Sequence, residues 1–443
     1  MYVRKLDTTI IREISEGAHV INIETGEDFI VNEIGAIFLQ EVGENIQEVD
    51  TIVKRLVDIF EGVSYEQLRN DFCEFLSLME DKQIISTSSQ KENVINYRLE
   101  NLHVDVTTTC NERCIHCYFP NSTKNEKLFM PLDTFRKIID DFVELGGNNI
   151  IISGGEPLMH PSIIQMLQYC GVNGLNVSLL SNLTLLNETH IKTLKSIKTN
   201  IVQTSVYSLT PTIHDSITLK RGSLSETLSS IDKLLSEDIP VRIACLVMKQ
   251  NKDDVLDLIK YAYKNHIDFK TNHLILPQTN GDDSFVRSSE LSIEQQRCLY
   301  CNMMDVDKAY AMQLLGINTN SEALYRNPKE FLKSNLCGAG VDNCAVSSNG
   351  NVYPCPEWNS FLLGNINSST LSEIWQSSIS VKLLRQINRQ KNFHQCLSCE
   401  ALNFCKRCLM LNEKENGGEL LRVNQKACNR AFMLKDLVNS YDN

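Results

Sequence analysis

The sequence predicts an α/β fold divided into several domains, and three observations support this prediction. In the middle of the chain, short apolar stretches alternate with apolar residues at helical spacing, which is typical of a parallel sheet or barrel. A run of short strands followed by helices precedes that region, and a segment of closely spaced cysteines follows it. The chain has 443 residues, more than one hydrophobic core usually serves, so we expect more than one domain.

The first predicted domain covers residues 1–85. Apolar stretches at Ile10–Ile14, His19–Ile23 and Asp28–Val31 indicate short strands, and after them the apolar spacing becomes helical in three successive pieces. The stretch Ser86–Asn93 is polar and lacks an apolar period, so it is predicted to be a linker. A small module of strands and then helices therefore precedes the main domain.

The central domain is predicted at residues 97–287, a helical bridging region at 288–335 and a cysteine-organised domain at 336–443. Helical spacing is clear at Leu132–Leu145 and Ile163–Tyr169. The predicted strands of the central domain are Leu102–Val106, Ile150–Ile152, Val177–Leu180, Ile201–Ser205 and Val241–Val247. Their alternation with helices predicts repeated βα units.

Charge and composition narrow the classes of partner. The formal net charge of -12 gives no support for general binding to nucleic acid or to an anionic membrane. Charged residues interrupt the start of the chain, so no signal-peptide core is present, and no run of about 18 apolar residues occurs. We therefore expect a cytoplasmic protein, whose 16 cysteines serve metal sites or catalysis rather than disulfides.

Cys110, Cys114 and Cys117 form a C-x3-C-x2-C motif directly after the strand that ends near Val106. Three thiolates can bind one face of a cubane iron-sulfur cluster but leave its fourth iron open, and open metal positions are where exogenous ligands bind. The competing interpretation is a zinc site made by the same thiolates and His116. The spacing therefore predicts a metal site and favours one with an open position.

The region from Asn101 to Pro277 resembles the radical S-adenosylmethionine (SAM) superfamily, which carries this cysteine motif after the first strand of a partial (β/α)6 barrel. A second family motif, GGEP, is present at residues 154–157. The resemblance implies that a [4Fe-4S] cluster on the three cysteines binds SAM and generates a 5'-deoxyadenosyl radical. The SAM contacts that it implies are His116, Ser153, Gly154, Gly155, Glu156 and Ser205.

The roles of two of these residues stay open in the sequence. Ser205 could be an ordinary residue at the end of a strand, and His116 could be a packed histidine rather than a neighbour of adenine. Lys220 or Arg221 is also expected to approach SAM, and the sequence does not decide between them.

Eight further cysteines follow in the last segment, and eight thiolates suffice for two closed tetrathiolate sites. Spacing alone leaves zinc and iron-sulfur clusters equally open. The segment resembles the SPASM extension of peptide-modifying radical SAM enzymes, although its last cysteine pair is C-x2-C where C-x3-C is commoner. The resemblance implies two auxiliary [4Fe-4S] clusters, one held by Cys337, Cys344, Cys355 and Cys408, and the other by Cys396, Cys399, Cys405 and Cys428.

Closed clusters suit electron transfer, and therefore a net oxidation of the substrate. In sulfatase-maturing members of the family an aspartate base follows the cysteine that matches Cys355, whereas Pro356 and Glu357 follow it here. Sulfatase maturation is therefore disfavoured.

The first domain resembles the PqqD-like element that is fused to maturases of ribosomally made peptides. The resemblance implies that a leader peptide adds a strand near Asp28–Val31, against the helix Tyr65–Asp81. The alternative is a DNA-binding winged helix, which the many acidic residues and the lack of a basic recognition helix disfavour.

Together these features predict a radical SAM maturase that forms an intramolecular cross-link, with a cysteine thioether as the first choice, in a precursor peptide. We expect three [4Fe-4S] clusters, SAM, and an external electron donor such as flavodoxin or ferredoxin. Carbon-carbon cross-linking is an equally oxidative rival. Peptide epimerisation would need a cysteine hydrogen donor such as Cys245, Cys298 or Cys301, for each of which a buried structural cysteine is the favoured interpretation. A non-catalytic peptide-binding scaffold with zinc in all sites is the alternative from another class.

Overall fold

The structure is a computed structural model that describes residues 1–6, 8–43, 46–88, 97–119, 128–278, 281–315 and 334–442. The chain forms two compact units, of which the first contains residues 1–97 with 377–387 and the second contains 98–376 with 388–443. Within the described ranges, no helix is both long and apolar enough to cross a membrane.

The first unit contains the three predicted strands as β2 (Thr9–Ile14), β3 (Gly17–Asn22) and β4 (Asp28–Val31). They form an antiparallel sheet in the order β2-β3-β4. The turn between β3 and β4 is closed by Asn22, whose side-chain oxygen accepts hydrogen bonds from the backbone N–H groups of Glu24 and Thr25. The strand prediction is confirmed, and β4 lies at one edge of this sheet.

The three predicted helices of the first unit are also confirmed. They are α1 (Glu33–Glu41), α2 (Val49–Ile59) and α3 (Tyr65–Asp81). Asn32 and Ser64 cap α1 and α3 by accepting hydrogen bonds from backbone N–H groups of the first turn. The buried faces of the helices share one apolar core with residues of the sheets, which explains why the helical spacing is visible in the sequence.

A second small sheet in this unit is not visible in the sequence. It consists of β1 (Tyr2–Lys5), β5 (Gln47–Glu48) and β6 (Ile85–Ser88) in the antiparallel order β5-β1-β6. The predicted linker is therefore wrong at its start, because Ser86–Ser88 belong to β6. Backbone pairing with β1 holds these polar residues in a strand, so no apolar alternation marks it. The remainder of the predicted linker, from residue 89, lies outside the described residues.

The second unit is built on six consecutive parallel strands, each paired with the next. They are β7 (Asn101–Asp105), β8 (Asn149–Ser153), β9 (Asn176–Leu180), β10 (Thr199–Ser205), β11 (Val241–Leu246) and β12 (Asp268–Asn272). This arrangement confirms the five predicted strands and the (β/α)6 architecture. The sequence analysis did not identify β12, because only Phe269 of its five residues is buried.

Helices separate these strands, as the βα pattern predicts. They are α4 (Leu132–Glu144), α5 (Ile163–Val172), α6 (Glu188–Ser196), α7 (Pro211–Thr218), α8 (Ser223–Ser236) and α9 (Val255–Lys264). The predicted bridging region then forms α10 (Ser284–Ser289), α11 (Ile293–Val306) and α12 (Lys308–Leu315). Residues 316–333 of that region lie outside the described residues.

The cysteine-rich segment continues the parallel sheet. Its strand β13 (Asn343–Val346) pairs in parallel with β7, and β14 (Asn351–Tyr353) and β15 (Gly364–Asn365) extend the edge antiparallel, giving nine strands in all. The helices of this segment are α13 (Leu371–Ser377), α14 (Ile379–Ile387), α15 (Leu409–Glu415) and α16 (Gln425–Asp442). Short 3-10 turns at residues 390–392, 394–396 and 402–404 lie between α14 and α15.

Candidate active site

The first cysteine motif lies in the loop that follows β7. Backbone hydrogen bonds from Arg113 N to Thr218 O (3.1 Å) and from Ile115 N to Ile217 O (2.9 Å) fasten this loop to the end of α7. All three thiols are partly buried. The loop is therefore held by bonds to a segment about a hundred residues away in the chain.

Glu112, which the sequence analysis did not single out, lies between two of these thiols. Its backbone N–H donates to Cys110 Sγ (3.4 Å), and the Cys114 thiol donates to its carboxylate (3.4 Å). The residue is 5% exposed. A single acidic residue within a cysteine motif gives no sequence signal for such a contact, so only the fold reveals it.

The glycines of the GGEP turn are required by a close approach of two backbone segments. A Cβ at Gly154, whose φ is +137°, would lie 2.3 Å from Thr107 O, and a Cβ at Gly155 would lie 2.3 Å from Thr109 O. The same segments are joined by hydrogen bonds from Gly155 N to Thr107 O (2.7 Å) and from Glu156 N to Thr109 O (2.8 Å). The turn therefore supports the backbone directly before Cys110.

Glu156 directs its carboxylate into the protein. It is fully buried and accepts hydrogen bonds from Leu158 N (2.9 Å), Ser181 Oγ (2.7 Å) and Asn182 N (2.7 Å). Burial raises the pKa of this carboxyl to about 7, although the three hydrogen bonds oppose the rise. Asn182 in turn donates to Asn111 Oδ1 (2.8 Å), next to Cys110. Glu156 thus joins the GGEP turn to the loop after β9 and, through it, to the cysteine loop.

A cavity of about 220 Å³ brings two of the predicted SAM contacts together. His116 and Ser205 both line it, and His116 Nε2 shares a hydrogen bond of 2.8 Å with the hydroxyl of Tyr207. Burial raises the pKa of Tyr207 well above its ordinary value, so the hydroxyl stays protonated. The sequence analysis missed Tyr207, although it lies two residues after Ser205. Cys245, which is buried, also lines this cavity.

The other residues predicted to contact SAM lie outside the lining of this cavity. Ser153 is the last residue of β8, and its carbonyl accepts a hydrogen bond from Val106 N (2.9 Å) at the end of β7. Lys220 forms an ion pair with Glu226 (2.6 Å), and neither Lys220 nor Arg221 lines the cavity. The contacts of these residues with SAM therefore stay predictions.

A larger cavity of about 520 Å³ adjoins the first, and Lys270, Asn272, Leu274 and Glu357 line both. It is bounded by β12, the bridging region and the cysteine-rich segment. Its cationic lining residues are Lys270, Lys406, Arg407, Lys426 and Arg430. No sequence pattern indicates this cavity, because its walls come from segments far apart in the chain.

The thiols of the second cysteine group fall into two sets, and within each set the charge of one thiol raises the pKa of another. Burial raises the pKa of Cys355 to about 12, and the charges of Cys408 and Cys337 add to the rise. Burial likewise raises the pKa of Cys405 to about 11, with additions from Cys428, Cys396 and Cys399. Cys344 is buried in β13. For seven of the eight cysteines, this grouping supports the predicted pairing, which stays a prediction.

These thiols have the donor chemistry of iron-sulfur ligands, since soft thiolates select iron-sulfur clusters or zinc. The thiols of each set lie near one another, but they do not point at one common position where a metal ion could bind. Among the residues that the structure describes, no three His, Cys, Asp or Glu side chains have the arrangement of a metal site. The donor types and their grouping fit auxiliary clusters, and binding would have to draw the thiols together.

Three family descriptions match separate parts of the chain. Residues 104–262 match the radical SAM superfamily, residues 337–400 match the iron-sulfur cluster-binding domain called SPASM, and residues 18–85 match coenzyme PQQ synthesis protein D (PqqD). The three matches follow the order of the predicted domains. Radical SAM and SPASM domains imply [4Fe-4S] clusters, including auxiliary ones, and SAM as a cofactor.

Curated relatives and solved structures resemble the chain over most of its length. The AdoMet-dependent heme synthase of Methanosarcina barkeri is 24% identical over 69% of this chain and 89% of its own. The antilisterial bacteriocin subtilosin biosynthesis protein AlbA of Bacillus subtilis is 25% identical over 80% of this chain and 78% of its own. The fold is similar to that of Streptococcus suis SuiB bound to its precursor peptide SuiA, with a TM-score of 0.54, 16% identity, and coverage of 92% and 96% of the two chains.

Proposed function

We propose, from the premise that this chain is a radical SAM/SPASM enzyme with an amino-terminal PqqD-like domain, that it installs an intramolecular cross-link in a ribosomally synthesised precursor peptide. A cysteine thioether is the first choice of cross-link. The observation that carries the proposal is the presence of the PqqD-like domain on the same chain as the radical SAM and SPASM domains. The relatives AlbA, a bacteriocin biosynthesis protein, and SuiB, which binds a precursor peptide, support a peptide substrate. The heme synthase relative supports the radical chemistry but not a peptide.

Different residues of the barrel would bind the cluster, support the cysteine loop and position SAM. Cys110, Cys114 and Cys117 would hold the cluster that binds SAM. When both are bound, the cluster and SAM would supply a 5'-deoxyadenosyl radical that abstracts hydrogen. The backbone bonds between the GGEP turn and residues 107–109 fix the start of the cysteine loop. The hydrogen bond that His116 shares with the hydroxyl of Tyr207 holds the His116 ring at the smaller cavity, where we place SAM.

The cysteine-rich segment would support the oxidation. A thioether formed from a thiol and a C–H bond requires that the carbon loses a hydrogen atom, the thiol loses a proton and one electron leaves the product. The eight cysteines of this segment would hold auxiliary clusters that accept such an electron. An external donor such as flavodoxin or ferredoxin would supply the electron that starts each turnover.

The first unit offers an edge for the leader peptide. Among the described strands, β4 pairs only with β3, so its other edge can accept an added strand. Ile30 on β4 is 68% exposed. We expect Ile30→Asp to weaken leader binding about ten-fold, which corresponds to about 1.4 kcal/mol. Binding of a fluorescent leader peptide measures this effect.

The matched control is Ile14→Asp, since Ile14 is exposed on β2 at the opposite edge of the same sheet. If both variants weaken leader binding equally, or if neither weakens it, β4 is not the docking strand. Thermal unfolding of both variants separates a binding defect from a folding defect.

The experiment that tests the proposed reaction is mass spectrometry of a precursor peptide, to be sought among the short reading frames beside the gene of this chain. The reconstituted enzyme, SAM and dithionite should remove two hydrogens from the peptide, and tandem spectra should assign the missing hydrogens to a cysteine and a second residue. Iodoacetamide should no longer label that cysteine if the product is a thioether. Continued labelling with the same mass loss would favour a carbon-carbon cross-link.

Peptide epimerisation is the second candidate, and the position of Cys245 favours it. This thiol lines the same cavity as His116 and Ser205, and burial raises its pKa to about 12, which keeps the S–H bond intact. Cys298 and Cys301 lie on α11 and line neither cavity. Epimerisation would leave the peptide mass unchanged in H2O and add one deuterium in D2O. Cys245→Ala should abolish that deuterium, whereas it should not stop a reaction that removes two hydrogens.

A further inference from the structure

Three of the cationic side chains that line the larger cavity are Lys270, Lys406 and Arg430, and the first and last lie close enough to Lys406 for their charges to act on it. The ion pairs of the cavity wall lie at Lys426, which contacts Glu290 (3.3 Å) and Glu415 (3.1 Å). Within the described part of the chain, no carboxylate forms an ion pair with any of the three cations. Glu357 also lines the cavity but forms no ion pair with these cations in the described residues, so the cavity contains a positive region in which three cations have no carboxylate in ion-pair contact.

The neutral groups beside these cations do not reduce that charge. Burial lowers the pKa of His273 to about 3, and the charges of Arg430 and Lys406 lower it further, so the ring is neutral at ordinary pH. His273 Nδ1 shares a hydrogen bond of 2.9 Å with the hydroxyl of Tyr300, which also lines the cavity. Like charges held close together at a partly buried site favour the binding of an anion.

Gln296 provides a second observation that points to a ligand. Its side chain lines the same cavity, the residue is only 8% exposed, and its Nε2 donates to Leu291 O (3.1 Å). Its Oε1 is buried and has no hydrogen-bond partner among the described residues. An unsatisfied buried acceptor calls for an N–H or O–H donor. A peptide carries both N–H donors and carboxylates.

Clusters held by four thiolates are anionic, so some of the positive charge near this cavity would balance the predicted clusters. Arg407 is placed for that role. Arg407 lies between Cys405 and Cys408, two of the predicted cluster ligands. Lys406 lies between the same two cysteines, and Arg430 lies two residues after Cys428. Lys270 lies on β12, far in sequence from every predicted cluster ligand. Lys270 is therefore the cation of the positive region that calls for an anion other than a cluster, and the charges of Lys406 and Arg430 add to the attraction for that anion.

We propose that the larger cavity is a subsite for a carboxylate of the substrate peptide, held by Lys270, Lys406 and Arg430 while Gln296 accepts a peptide N–H. This inference rests on the proposed function. The carboxylate belongs to an Asp or Glu side chain or to the carboxyl terminus of the peptide. Because Lys270 lines both cavities, the acidic group lies close along the peptide to the residue that enters the smaller cavity.

The test uses the reconstituted holoenzyme and three synthetic versions of the precursor peptide that the search of neighbouring reading frames provides. One version is native, one has a carboxyl-terminal amide, and one has Asn and Gln in place of the core Asp and Glu residues. We expect Lys270→Met to raise KM for the native peptide about ten-fold or more, which is typical of a lost charge-assisted hydrogen bond. One of the two altered peptides lacks the carboxylate that binds in the cavity. The unaltered enzyme should have a raised KM for that peptide, and Lys270→Met should not raise this KM further.

Two further variants strengthen this test. Lys270→Arg keeps the charge and should preserve a KM close to that of the unaltered enzyme. Lys264→Met removes an exposed lysine at the end of α9 that lines neither cavity, and it should change no KM. Iron content establishes that each variant retains its clusters.

The outcomes separate the subsite from the proposed function. An equal rise in KM for all three peptides with Lys270→Met would overturn the subsite, and so would a loss of SAM cleavage in the absence of peptide, because the lysine would then serve SAM. If the unaltered enzyme cleaves SAM but leaves the native peptide unmodified, the proposed function fails. The dissociation constants of the three peptides, measured by fluorescence anisotropy, would then still decide whether the cavity binds a carboxylate.

Discussion

The two cysteine regions of this chain differ in what holds their backbone. Hydrogen bonds to distant residues fix the loop of Cys110, Cys114 and Cys117, as in the bond from Glu156 N to Thr109 O. Between Cys396 and Cys408, bonds such as Cys399 N to Cys396 O and Cys405 N to Leu402 O close turns between residues three apart. We therefore expect the barrel to hold the first loop in shape without a cluster, and the segment from Cys396 to Cys408 to depend more on its ligands.

The largest expected effect distinguishes the chemistry of the two regions. Cys114→Ala removes a predicted ligand of the SAM-binding cluster and should lower formation of 5'-deoxyadenosine by about 1,000-fold or more, since the chemistry depends on that cofactor. Cys399→Ala should preserve SAM cleavage without peptide and abolish the cross-link. Chromatography of 5'-deoxyadenosine and mass spectrometry of the peptide measure the two effects. Persistent SAM cleavage in Cys114→Ala would mean that the open cluster is assigned to the wrong cysteines.

Removal of the clusters should affect the two regions unequally. After treatment with a chelator and an oxidant, we expect residues 390–408 to lose most of their protection against hydrogen exchange, because metal binding and folding are coupled in such segments. Strands β7 and β8 should keep theirs, since their pairing depends on the sheet. Hydrogen exchange followed by mass spectrometry resolves both segments. Equal loss in both regions would mean that the barrel loop depends on its cluster as much as the cysteine-rich segment does.

Gly155→Ala tests the backbone approach that supports the first cysteine loop. The added Cβ would lie 2.3 Å from Thr109 O, so we expect a cost of about 3 kcal/mol in the free energy of unfolding and a loss of SAM cleavage. Gly174→Ala is the control, because its Cβ would meet nothing within 4 Å. Its positive φ should cost only about 1–2 kcal/mol. Similar costs for both variants, measured by urea unfolding, would show that the turn can relax away from the cysteine loop.

The smallest expected effect concerns the pH dependence of Glu156. The pKa of its carboxyl is about 7 in the folded protein, against 4.5 for an ordinary glutamate. Between these values the unfolded chain releases a proton that the folded chain keeps, so this group lowers stability as the pH rises from about 4.5 to about 7. Glu156→Gln removes the titration, although it weakens the hydrogen bonds to Ser181 and Asn182 at every pH.

The stability of Glu156→Gln relative to the unaltered chain should therefore improve by about 1–3 kcal/mol from pH 5 to pH 8. Urea unfolding at several pH values measures the difference. A difference that does not change with pH would mean that the three hydrogen bonds keep the carboxylate ionised throughout.

The sequence analysis identified the features that depend on local pattern. Alternating strands and helices predicted the parallel sheet, since an apolar period of two or of 3.6 residues follows directly from which face of an element is buried. The strands β6 and β12 escaped notice because polar residues form most of both. Their strand conformation comes from pairing with β1 and β11, which no local pattern records.

The sequence by itself determined the order of the domains and the spacings of the cysteine motif and of GGEP, because each of these is a short local signal. Only the tertiary structure placed Glu112 between two thiols, joined Tyr207 to His116, and extended the barrel sheet through β13. It also gathered Lys270, Lys406 and Arg430 around one cavity. These contacts join residues that lie far apart in the chain or that carry no motif, and their energies depend on distance and burial, which a linear sequence does not contain.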